Sequence, residues 1–240
     1  MTQVLLIQTG NTLPSIAEKE EDFDLWFKRS MAPAVLDVRQ VHNQQALPDP
    51  GQVTAAVVTG SPAMVSHRHP WSEQTAAWIR EFVPLGRPLL GVCYGHQLIA
   101  HALGGMVGPN PHGRGIGTVG VTFESTASGD ALFGGLVGAT VNAQISHVEA
   151  VLERPPGAVA IGRCDHDPNH VLQFGPCTWG VQFHPEFTES ITRGYVQGRI
   201  QALQAEGIDT DAVMASIVDT PVAAALLSKF IEIVGIRNAA

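Results

Sequence analysis

The feature that most restricts this chain is the segment Leu89-Leu90-Gly91-Val92-Cys93-Tyr94-Gly95-His96-Gln97. Its first four residues form a short apolar run of the kind that makes a strand buried on both faces. The residues from Tyr94 to Leu103 read as a helix stopped by Gly104-Gly105. A strand that becomes a helix this abruptly leaves no room for side chains beside the turn. Gly91 and Gly95 let the backbones pass, and Cys93 at the apex is held in a strained conformation. The thiol then lies at a helix N-terminus, where backbone N–H groups and the helix dipole favour the reactive thiolate. The Tyr94 N–H would point at an oxyanion developing on an attacked carbonyl. The bland alternative is a structural thiol, because free cysteine is among the most buried residue types.

The rest of the first half repeats the strand-then-helix rhythm of a parallel α/β sheet. Val4 to Ile7, Val35 to Val38 and Ala55 to Val58 read as strands, the last running into the turn Thr59-Gly60-Ser61-Pro62. Ser15 and Glu18 have capping-box spacing and predict a helix reaching Ser30, with Phe23 and Phe27 on its inner face. Trp71 to Phe82 predicts another. From Thr118 the pattern changes to period two, in Val119-Val121-Phe123 and Val141-Ala143-Ile145, and no helix of any length is expected before Phe183. That half should be rich in antiparallel pairing, with Val171 to Phe174 and Trp179 to Phe183 as further strands. The tail from Thr188 turns helical and ends in a helix over Pro221 to Val234. The expected architecture is α/β. An open, mostly parallel sheet is flanked by helices, with antiparallel strands in the second half and a C-terminal helical tail. It forms a single domain over 1–240, with a core at 1–187 and a helical extension at 188–240.

Charge and length exclude several functions. A formal net charge of −8 without a basic cluster argues against binding nucleic acid or an anionic membrane. The apolar start at Val4 to Ile7 is too short for a secretory or spanning segment, so a cytoplasmic protein is expected. Three widely spaced cysteines, Cys93, Cys164 and Cys177, fit reduced thiols and no disulfide framework.

A second segment gives Cys93 a partner. Trp179-Gly180-Val181-Gln182-Phe183-His184-Pro185-Glu186 reads as an apolar strand ending in His-Pro-Glu. Residues two apart on a strand share a face, so His184 and Glu186 can point together at the nucleophile. Pro185 has no N–H for a ladder and suits a strand end. A neutral histidine can accept the thiol proton, and a carboxylate behind it fixes the tautomer and steadies the imidazolium.

The Gly-x-Cys-x-Gly-x-Gln elbow followed, about ninety residues on, by Gln-Phe-His-Pro-Glu resembles the class I glutamine amidotransferases. The likeness is strongest to the GMP synthase-like group whose glutaminase domain stands alone, and it spans roughly Val4 to Glu186. It implies a flavodoxin-like sheet and a Cys93–His184–Glu186 triad. It also implies an oxyanion hole from the backbone N–H groups of Gly60 and Tyr94, and substrate contacts from Gln97, Ser146 and His147. Cofactors and metals are not implied. The substrate would be glutamine or another γ-glutamyl compound.

The resemblance leaves the function open among several readings. One is a glutaminase that passes ammonia to a separate synthetase partner, since no ATP-binding motif is present. Another is a free-standing γ-glutamyl peptidase or hydrolase, in which a larger amine leaves. A third is a non-catalytic regulatory role, against which the intact triad argues. A cysteine-dependent α/β-hydrolase is weaker, because there the acid precedes the histidine.

Two positions depart from the family pattern. Glu149 stands where Asp is usual, and Gly115 where many relatives have Glu; both are expected near the leaving side of the substrate, where room around Gly115 would suit a larger amine. The stretch Gly113 to Gly117 lacks the Lys-Ser/Thr ending of a phosphate loop. His166 and His170, flanked by Asp165 and Asp167, have loosely metal-like spacing but read as a solvent-facing loop, as do His67 and His69. His96 and His101 read as packing or surface residues, and Cys164 and Cys177 as unreactive.

Overall fold

A computed structural model describes residues 2–238; Met1, Ala239 and Ala240, the ends of the expected 1–240 span, lie outside the described residues. The first half alternates as its apolar runs predict. Strands β1 (Gln3–Gln8), β2 (Val35–Gln40), β3 (Ala56–Val58) and β4 (Leu89–Val92) are interleaved with helices α1 (Pro14–Glu20), α2 (Phe23–Ser30), α3 (Pro70–Phe82) and α4 (Tyr94–Ala102). Strands β5 (Met106–Pro109), β6 (Gly115–Phe123), β7 (Thr140–His147), β8 (Glu149–Glu153), β9 (Val159–Cys164), β10 (Asp167–Gly175) and β11 (Thr178–Val181) follow. The chain closes with α5 (Glu189–Gly198), α6 (Ile200–Ala205), α7 (Thr210–Ser216) and α8 (Pro221–Asn238).

Nine strands form one sheet in the order β2-β1-β3-β4-β11-β10-β9-β6-β7, and β5 pairs with β8 beside it. From β2 to β11 every pairing is parallel; from β11 to β7 every pairing is antiparallel. The change at Thr118 seen in the sequence therefore marks the antiparallel half. Strand β1 shows how the sheet divides two cores. Val4 and Leu6 face one, with Phe27, Trp179 and Phe230; Leu5 and Ile7 face the other, with Ile79, Phe82 and Leu98. The α8 side chains Leu227, Phe230 and Val234 belong to the first core, and Phe230 meets the Trp179 ring edge-on at 6.3 Å. Among the described residues no helix is long and apolar enough to cross a membrane.

Two local expectations are corrected. The predicted helix from Ser15 to Ser30 is broken in two. Its start is Pro14, whose missing N–H is harmless in the first turn, and no side chain caps it. Glu21 then takes φ 68°, and Asp22 caps α2 by accepting from the Phe23 N–H at 2.7 Å. Phe23 and Phe27 are buried as expected. The last strand of the sheet stops at Val181, not Phe183. Beyond it the Gln182 N–H donates to the His170 carbonyl and the His184 N–H to the Gln144 carbonyl on β7. The chain thus leaves its parallel partner β4 and bridges towards the antiparallel half.

Candidate active site

The elbow is built as its residues require. Cys93 sits between β4 and α4 with φ 50° and ψ −101°, a region costly for a residue with a Cβ. A Cβ on Gly91 would lie 2.5 Å from the Gly95 backbone, and one on Gly95 would lie 2.3 Å from the Val58 carbonyl oxygen. Only glycine allows β3, β4 and the start of α4 to meet so closely. The Cys93 N–H is anchored to the Val181 carbonyl at 2.8 Å, and the thiol points to the Ser146 carbonyl at 3.9 Å. The Tyr94 N–H is the first of α4 and has no acceptor within its own helix.

His184 and Glu186 are both buried, and Nδ1 of the imidazole donates to a Glu186 carboxylate oxygen at 2.7 Å. They meet across a turn and not along a strand, since the chain bends at Pro185 and the Phe187 N–H returns to the His184 carbonyl. Phe187, which sequence reasoning missed, stacks on the imidazole with centroids 3.9 Å apart and planes 12° apart. Burial disfavours the imidazolium, but the Glu186 carboxylate and then Cys93 outweigh it and push His184 up to about 10. The ring is therefore poised as the cationic half of a pair with the thiol.

Cys93, His184, Gln97, Ser146, His147 and Glu149 border one cavity of about 290 Å³. Gln97 donates both amide hydrogens inside the protein, to the Glu149 carbonyl at 2.7 Å and to the Gln182 side chain at 3.0 Å. It can offer a ligand only its oxygen. His147 donates from Nδ1 to the Glu149 carbonyl at 2.9 Å, and burial, then His170, push it down to about 3, so it is neutral. Gly60 lies against the catalytic imidazole; a Cβ there would come within 2.7 Å of His184 Cε1. Its neighbour Ser61 borders the cavity, and neither the Gly60 nor the Ser61 N–H has an acceptor among the described residues.

The sequence did not reveal three further lining residues, Arg114, Tyr195 and Arg199. Tyr195 lies on α5, bonds the Thr12 hydroxyl at 2.8 Å and stacks on Phe187, while the Arg199 guanidinium lies over its ring at 5.2 Å. Arg114 pairs with Glu206 at 2.8 Å. The helical tail thus supplies one wall of the pocket. No local motif announces this, because the contacts are long-range.

The expectation for Gly115 is corrected. It is buried and faces the rings of His147 and His166, and it does not border the catalytic cavity. His170 and Asp167 are likewise not in a solvent-facing loop; they lie on β10 at 0% and 1% exposure. Glu149 does border the cavity and accepts from the Ser66 N–H at 3.3 Å. His96 is fully buried, and that burial pushes it down to about 4. His101 bonds Glu73 at 3.1 Å on the surface of α4.

Comparison with known proteins agrees with this geometry. The family model described as Glutamine amidotransferase class-I matches residues 22–196. The chain is 36% identical to a GMP synthase [glutamine-hydrolyzing] of Aeropyrum pernix over 144 residues, which are 59% of this chain and 25% of that one. It is 34% identical to a glutamine-hydrolyzing GMP synthase subunit of Ignicoccus hospitalis, over 58% of this chain and 70% of the relative. The chain thus spans about a quarter of the Aeropyrum relative's length but most of the Ignicoccus relative's. A solved glutamine amidotransferase of Thermotoga maritima has the same fold, with TM-score 0.73, 19% identity and 97% of each chain covered.

Proposed function

The chain belongs to the class-I glutamine amidotransferase family, an enzyme family, and from that premise we propose that it hydrolyses glutamine through a γ-glutamyl thioester on Cys93. The observation that carries the reading is a strained elbow cysteine sharing one cavity with a buried His184–Glu186 pair.

The chemistry follows from the geometry. The Cys93 thiolate attacks the side-chain carbonyl carbon, and the negative charge moves to the carbonyl oxygen. The Tyr94 N–H and the amides of the Gly60-Ser61 loop receive that oxyanion. The His184 imidazolium gives its proton to the leaving nitrogen, and ammonia departs. Water then adds to the thioester with neutral His184 as base, releasing glutamate and restoring the thiol. Glu186 holds the imidazole tautomer throughout.

The lining offers both charges to an amino-acid zwitterion. The Gln97 oxygen and the Glu149 carboxylate suit an ammonium group, and Arg199 suits a carboxylate. Ser146 and His147 border the same space at the end of β7. The similarity to a GMP synthase whose glutamine-hydrolyzing part is named as its own subunit supports transfer of the ammonia to a separate synthetase polypeptide. The peptidase alternative drew on room around Gly115, which turns away from the cavity, so that room does not favour a larger leaving group.

The test is product analysis on the purified protein with glutamine and glutathione in parallel, and Cys93→Ala as control. Ammonia and glutamate from glutamine, lost in the variant, support the proposal. Cysteinylglycine from glutathione with no ammonia from glutamine overturns it in favour of a peptidase.

A further inference from the structure

The second half of the sheet gathers a group of side chains that the hydrolysis does not use. The tight β9–β10 turn brings Cys164, His166, Asp167 and His170 beside the end of β7, where His147 is the cross-strand partner of Gly115. The rings of His147, His166 and His170 form a triangle, with centroids 5.7, 6.1 and 6.3 Å apart. Nε2 of each is buried and has no hydrogen-bond partner among the described residues. Folded interiors rarely leave such groups unpaired, and three in one place call for an explanation.

The donor atoms converge. Ligand atoms of His147, Asp167 and His170 all lie within 4.8 Å of one another. Asp167 Oδ2 is 3.1 Å from His170 Nδ1, and the Cys164 sulfur is 3.4 Å from the same nitrogen and 3.6 Å from His166 Nδ1. Tetrahedral bonds of about 2.1 Å put ligand atoms about 3.4 Å apart, so the shortest of these separations already suit a metal sphere. His147 carries the usual outer support of a ligand. Its Nδ1–H is tied to the Glu149 carbonyl, which leaves the Nε2 lone pair facing the cluster.

Gly115 keeps the space open. A Cβ there would lie 2.7 Å from His147 Nε2 and 2.8 Å from His166 Nε2. Gly115 is also the position at which this chain departs from the Glu of its relatives. We propose that His147, Asp167 and His170, completed by Cys164 or His166, form a buried site for a divalent transition metal of zinc's class. Nitrogen, sulfur and carboxylate donors together suit zinc and not calcium or magnesium, which take oxygen alone. The ion would pin the end of β7, and with it Ser146 and His147, behind the catalytic cavity.

The test is metal binding, read without activity. Chelator-treated protein is given Zn2+, desalted and analysed for metal content and melting temperature, and Co2+ serves as the spectroscopic probe. One ion per chain, a raised melting temperature and tetrahedral cobalt bands are expected. Cys93→Ala must bind as the wild type does, which separates this site from the catalytic thiol and from the glutaminase reading. Outer-support changes alone weaken metal sites by about 10–100-fold, so His170→Asn is expected to lose at least about 100-fold in affinity. Gly115→Ala removes no donor and is expected to abolish binding while the metal-free protein keeps the wild-type circular dichroism. No retained metal in the wild type, full retention in both His170→Asn and Gly115→Ala, or loss only in Cys93→Ala overturns the proposal.

Discussion

Nδ1 of His184 donates to Glu186 at 2.7 Å although the strand that delivers both residues ends at Val181. The pair is held by a turn at Pro185, by the His184 N–H on the Gln144 carbonyl, and by Phe187 stacked on the ring. The relationship is therefore tertiary, and it sets the protonation state of the site.

Removing the carboxylate should move the alkaline edge of activity. Glu186 is the largest influence raising His184 to about 10, against burial, which lowers it. The imidazolium is needed to protonate the leaving nitrogen, so kcat/KM in the wild type should fall only well above the ordinary histidine range, with an acidic limb completing a bell. In Glu186→Gln that alkaline limb should shift to lower pH, and kcat should drop by about 10²–10⁴-fold. The pH dependence of kcat/KM for both proteins checks this; an unmoved alkaline limb contradicts it.

The same pair makes stability depend on pH. His184 is raised from an ordinary 6.5 to about 10 in the folded chain, so its contribution is fully present below about pH 6.5 and lost as pH rises through about 10. The melting temperature of the wild type should therefore decline from pH 7 to 10 more steeply than that of His184→Ala, as calorimetry at stepped pH would show.

Gly60→Ala tests the fit around the ring. The new methyl would lie 2.7 Å from His184 Cε1 and must displace it. Misplacing a catalytic group by an ångström costs about 10²-fold, so kcat should fall by that order with little change in KM. Steady-state kinetics on glutamine decide it, and an unchanged kcat would mean that the loop yields instead of the ring.

The tail should matter for stability as well as for the pocket. Phe230 on α8 is fully buried against Trp179. Truncating a buried phenylalanine to alanine costs about 3–5 kcal/mol. At roughly 2–4 °C per kcal/mol for a chain of this size, Phe230→Ala should melt some 6–20 °C lower. A loss under about 2 °C in a thermal scan would mean that α8 is dispensable to the core.

The elbow was legible in the sequence because its constraint is local: glycines two residues either side of Cys93 leave few other conformations. The parallel and antiparallel halves were legible from the change of period at Thr118. His184 and Glu186 were paired correctly for a reason the structure corrects, since alternation along a strand and a turn after it can bring the same two residues together. What the sequence hid depends on contacts across long separations. Tyr195 and Arg199 reach the cavity only because α5 folds back over the sheet. His147 and His170 read as unrelated until β7 and β10 bring their rings 6.1 Å apart.

The most direct test of the central claim is labelling with a diazoketone analogue of glutamine, followed by peptide mass spectrometry. A single adduct on Cys93, prevented by excess glutamine and absent in Cys93→Ala, is the predicted result. Modification of Cys164 or Cys177 instead, or labelling of Cys93 that glutamine does not slow, would contradict a γ-glutamyl thioester at this elbow.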